Sequence, residues 1–112
     1  MLTEPRYLTI EDMPFLIRPL EQTTFNDRDT IYVVLSMEED GRADIIDVGQ
    51  SSETGAVPMN HPERMARWKR HATGQLLIGA HRPATDYNMP EDRARIIEQL
   101  RRLYRPPCNV GI

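Results

Sequence analysis

Short apolar runs alternate with long polar connections along the chain, and their spacing sorts it into elements. Residues 31–35, IYVVL, are β-branched and aromatic, the composition of a strand. Residues 36–44 are charged and hold Gly41, which marks a hairpin-type connection, and ADIIDVG at 43–49 supplies the second strand. A polar loop over 50–60 follows, closing on Pro58 and Asn60. HPERMARWKRHATG, 61–74, predicts a helix: Pro62 suits its first turn, the cations from Arg67 to Arg70 load its end, and Gly74 stops it. QLLIGAHRP, 75–83, predicts a third strand. MPEDRARIIEQLRRLY, 89–104, predicts a second helix, with Pro90, Glu91 and Asp92 at its start and one apolar stripe of Ile96, Ile97, Leu100, Leu103 and Tyr104. RPPCNVGI leaves it as an extended tail.

The first 28 residues resist this sorting. Thr9 and Asp12 have the spacing of a helix-capping box, but Pro14 blocks a long helix there, and Pro5 and Pro19 interrupt the rest. They predict an irregular arm with room for one edge strand, ahead of a domain over 29–112. The expected fold class is α+β, a three-stranded antiparallel sheet flanked by helices. At 112 residues and 39% hydrophobic the chain suits a single domain. No run approaches the ~20 apolar residues of a membrane span, and the N-terminal stretch lacks the basic-then-apolar order of a secretory signal. Cys108, the single cysteine, suits a reducing cytoplasm and packing as a small apolar side chain. His61, His71 and His81 recur every ten residues, which is neither a helix face nor a zinc spacing, and no Gly-rich phosphate loop is present.

Charge changes this picture. Residues 1–60 carry twelve acidic against four basic side chains, while residues 61–112 carry five against ten. A basic half suits a polyanion, because phosphate contacts supply most non-specific nucleic-acid affinity. Folding of the two halves against each other, with partial cancellation, explains the same numbers. All cations but Lys69 are arginine, the better phosphate grip. Arg64, Arg67, Lys69 and Arg70 on the first helix are the candidate nucleic-acid contacts, joined by Ser51 and Ser52, whose hydroxyls and loop amides suit either a phosphate oxygen or ordinary turn chemistry.

The order TIYVVL, IIDVG, basic helix, then a helix closing on Leu100, Tyr104, Pro106 and Asn109 resembles the GIY-YIG nuclease domain over residues 29–110. Thr30-Ile31-Tyr32 and Asp47-Val48-Gly49 stand where that family has its two namesake triplets. The resemblance implies metal-dependent hydrolysis of DNA phosphodiesters, with two tyrosines, a helix arginine and a metal-holding glutamate. Carried over by position, Tyr32 matches the first tyrosine, and Asp47 replaces the second with a carboxylate that suits metal binding, proton transfer or a structural hydrogen bond to the nearby loop. The arginine position falls on Val57; a loop insertion would move the role to Arg67, with His71 four residues on, although the same arginines equally suit a solvated face opposite Met65 and Trp68. The glutamate register falls on Ile97, and its neighbour Glu98 lies well over 90° from the centre of the apolar stripe.

These departures predict a GIY-YIG-like domain that binds nucleic acid, with DNA as the expected partner, through a degenerate nuclease centre that needs no cofactor. One alternative is a divergent endonuclease using Tyr32, Asp47, Arg67 or His71, and Glu98 with Mg2+ or Mn2+. Another is a protein-interaction module presenting the acidic half.

Overall fold

The structure is a computed structural model that describes residues 1–20, 29–50 and 62–109. In chain order its elements are β1 (Arg6–Ile10), β2 (Met13–Pro19), β3 (Ile31–Met37), β4 (Ala43–Gln50), α1 (Pro62–His71), β5 (Gln75–His81), a 3-10 turn at Thr85–Tyr87, and α2 (Pro90–Tyr104). The strands form one antiparallel sheet in the order β1-β2-β5-β3-β4. The fold is α+β as expected, but the sheet has five strands and not three.

The two additional strands come from the N-terminal arm. Glu11 and Asp12 form a two-residue turn between the paired Ile10 and Met13, and both have positive φ, 49° and 64°. Two left-handed residues give the turn the twist of the strands it joins, a geometry normally advertised by Asn-Gly or Asp-Gly. Here two acidic residues adopt it. Pro14, read from sequence as an interruption, sits within β2 opposite Thr9. The arm thus belongs to the sheet, with β2 hydrogen-bonded to β5 from Leu16–Ala80 to Pro19–Leu77.

Central strand β3 has six consecutive buried residues, Ile31 to Ser36, because both faces of the sheet are covered. Ile31, Val33 and Leu35 join Phe15, Ile17, Val48 and Leu77 beneath Ile97 and Leu100 of α2. Tyr32 and Val34 face the other way, with Ile46, Ile78 and Trp68 of α1. The period-2 alternation of a strand therefore delivers Tyr32 to the α1 face. Helix α2 starts on Pro90, with the Asp92 carboxylate accepting the Met89 N–H at 3.1 Å. It ends on left-handed Arg105, just before Pro106.

A bulge and the tail complete the β4 edge. Val34 faces Asp47 and Leu35 faces Ile45, so Ile46 has no partner in the register. The extra residue turns both Ile46 and Asp47 toward α1. On the outer edge, the Ile46 carbonyl accepts the Cys108 N–H at 3.0 Å, the Val48 N–H donates to Asn109 Oδ1 at 2.9 Å, and the Val48 carbonyl accepts Arg101 Nε and Nη2 at 3.1 and 2.7 Å. An open strand edge would otherwise present those groups to another chain. Among the described residues no helix is long and apolar enough to cross a membrane.

Candidate anion-binding cavity

A cavity of about 160 Å³ opens where β3 begins and β4 ends, lined by Tyr32, Asp47, Arg64, Arg67, Trp68, Arg101, Cys108 and Asn109. Each wall follows from the fold. Tyr32 and Gly49 are register partners, and a Cβ on Gly49 would come within 2.5 Å of the Tyr32 hydroxyl oxygen. Only glycine leaves room for that ring to lie across β4. The Tyr32 ring meets the Trp68 ring edge-on, with centroids 6.5 Å apart.

Asp47 is 8% exposed and both its oxygens are engaged: Oδ2 accepts the Trp68 indole N–H at 2.7 Å and Oδ1 accepts Asn109 Nδ2 at 2.9 Å. None of the ion pairs among the described residues joins it to an arginine. A buried indole N–H and a buried carboxylate need each other, which fixes α1 and the tail against the bulge. Among the described residues the hydrogen bonds of Asp47 thus go to α1 and the tail, and the loop over 51–60, its expected partner, lies outside them.

Three guanidiniums converge from two helices. Arg67 donates through Nη2 to the Cys108 carbonyl, Arg101 donates through Nε and Nη2 to the Val48 carbonyl, and Arg64 Nη1 lies 3.5 Å from the Tyr32 hydroxyl. Arg67 and Arg101 are thus pinned by backbone oxygens, each through part of a five-donor guanidinium. Burial first, then the Asp47 charge, push the Tyr32 hydroxyl up to about 12, against the opposing pull of Arg64 and Arg101. The phenol is therefore neutral at physiological pH. Burial, again ahead of Asp47, raises the Cys108 thiol against the pull of Arg67 and Arg70, which keeps it protonated and inert.

The Tyr32 shift has a measurable consequence. The hydroxyl titrates near 10 in the unfolded chain and near 12 in the folded one, so the folded state holds more protons between those values. Stability present below pH 10 is lost as pH rises through 12. Urea unfolding should show a loss of about 2 kcal/mol between pH 9.5 and 11.5 that Tyr32→Phe removes.

Of the residues singled out from sequence, the fold brings together Tyr32, Asp47, Arg64 and Arg67. Lys69, Arg70 and His71 are exposed on α1 and do not line the cavity. Glu98 lies on the solvent side of α2, paired with Arg102 at 2.9 Å, and Ile97 beside it is buried in the core. Ser51, Ser52, Val57 and His61 lie outside the described residues. His81 donates from Nδ1 to the Pro14 carbonyl at 2.9 Å, where it ties β5 to the hairpin.

Sequence reasoning missed Arg101 and the hydrogen-bonding role of Asn109. A signal for the second existed: a buried strand carboxylate beside a buried tryptophan leaves one oxygen needing a further donor. Fold and cavity together define an α+β domain with a cationic pocket at one end of a sheet covered on both faces. The chain matches no family model, no curated protein and no solved structure.

Proposed function

We propose that the chain is a GIY-YIG-like domain that binds nucleic acid, with a nuclease centre that has lost its catalytic groups. The observation that carries this reading is the convergence of Arg64, Arg67 and Arg101 on one cavity beside a neutral phenol. All three arginines are exposed enough to meet an anion, and those pinned by backbone carbonyls meet a phosphate with little further loss of freedom. The donor set does not suit a divalent cation: the cavity's one carboxylate already holds two N–H donors, and the α2 side chain lining it is a cation. Among the described residues no three His, Cys, Asp or Glu side chains gather as ligands.

Anisotropy titration of labelled DNA against salt tests the reading. Affinity should fall with salt at a slope near −0.9 per phosphate neutralised, and Arg64→Ala should reduce that slope by about one. Arg64 is the informative arginine because Arg67 and Arg101 also hold the tail and the β4 edge. With Mg2+ or Mn2+ added, the DNA should remain intact. A flat salt titration removes the binding reading, and cleavage removes the degenerate centre.

A further inference from the structure

The same cavity has a size and a charge that select among phosphates. We infer that it is a subsite for a terminal phosphate, the phosphomonoester at the end of a strand, in preference to the diesters within one; the strand itself rests on the nucleic-acid reading above.

The cavity of about 160 Å³ has room for a phosphate group against its donors. A monoester brings a single ester oxygen through the mouth. A diester must bring two, with chain leaving in both directions past walls formed by α1, the β4 edge and the tail.

Charge points the same way. Arg64, Arg67 and Arg101 against Asp47 leave two formal positive charges in the lining. A phosphomonoester carries close to two negative charges at neutral pH, its second ionisation falling near 6, and a diester carries one. Tyr32 does not subtract from the balance, because its hydroxyl stays neutral. Each Asp47 oxygen is already held by a donor, Oδ2 by Trp68 and Oδ1 by Asn109. The donors are held before any ligand arrives: Arg67 on the Cys108 carbonyl and Arg101 on the Val48 carbonyl. Such preorganisation favours a compact, multiply charged group over an extended backbone.

The test uses the full chain and one oligonucleotide sequence in four forms: 5′-phosphorylated, 3′-phosphorylated, hydroxyl at both ends, and covalently closed. One phosphorylated form should bind about tenfold tighter than the hydroxyl-ended form, and the closed circle should match the latter. A nucleoside monophosphate and inorganic phosphate should compete away the end-dependent part. Arg64→Ala should erase the tenfold difference and weaken binding of all four forms, and Arg64→Lys, which keeps the charge without the fork, should restore part of the difference. Thermal unfolding of both variants establishes that they fold. Equal affinity for all four forms overturns the terminal-phosphate subsite and leaves the nucleic-acid reading standing. Binding of the monophosphates without any oligonucleotide upholds the subsite and overturns that reading. Binding of neither overturns both.

Discussion

Trp68→Ala should cost about 3–5 kcal/mol, a large share of the 5–15 kcal/mol that a domain of this size has in total. Trp68 is fully buried and is the one side chain of α1 that is, so it carries the packing of that helix on the sheet. Its removal leaves a large void among Tyr32, Val34, Ile46 and Ile78, and strips Asp47 Oδ2 of its donor. Trp68→Phe keeps part of the packing. A six-membered ring still fills much of the site while the five-membered ring and its N–H are lost, so the cost should fall below that of alanine, with about 1–3 kcal/mol of it from the carboxylate left without its donor. Urea unfolding of the three proteins gives the comparison. If Trp68→Phe matches wild type, the indole–Asp47 bond contributes nothing and the structural account of Asp47 fails.

Asn109→Ala should be the next most damaging change, at about 2–3 kcal/mol. One amide closes two gaps: Oδ1 accepts the Val48 N–H on the open edge of β4, and Nδ2 donates to Asp47. Without it, an edge N–H and a buried carboxylate oxygen each lose a partner, and amide exchange at Val48 should quicken. Asn109→Asp is the sharper variant. It keeps an acceptor for Val48 but sets a second carboxyl group against Asp47, where two like charges cannot both persist. Its deficit relative to wild type should therefore be largest at neutral pH and shrink as acid supplies a shared proton. A deficit that does not change with pH would show that Asn109 acts on the edge alone.

The parts of this fold that were legible in the sequence are those where local chemistry and tertiary context agree. IYVVL is apolar throughout because β3 is covered on both faces, and the caps of α2 are written in Pro90, Glu91 and Asp92. The hairpin of the arm was not legible, because Glu11 and Asp12 adopt left-handed geometry without the glycine or asparagine that usually signals it. Its partner strand also belongs to the opposite end of the chain, since β2 pairs with β5.

The site was half legible for a similar reason. Tyr32, Arg64 and Arg67 sit in elements whose faces periodicity assigns, while Asp47 is turned to the same side by the bulge at Ile46. Arg101 lies beyond the apolar stripe of α2 and looks like any solvated arginine. It reaches the cavity because the open β4 edge offers it the Val48 carbonyl, a long-range contact that helical spacing does not encode. Glu98, one turn earlier on the same helix, was the candidate of the right chemical type, and it faces solvent beside Arg102. Asn109, noticed first as a letter in a pattern, turns out to hold the tail, the β4 edge and Asp47 together.

The central claim is that the arginine cavity receives the anion, and nitrogen-15 NMR observes it directly. The Trp68 indole N–H sits on Asp47 in the cavity wall, and the Nε–H signals of Arg64, Arg67 and Arg101 report its three cations. Titration with a short oligonucleotide at low salt should move these four side-chain signals together and saturate with a single affinity, while amides of the acidic segment Glu38–Asp40 stay in place. Shifts confined to the exposed Lys69–His71 end of α1 or to the acidic segment, with the Trp68 indole unmoved, would contradict it.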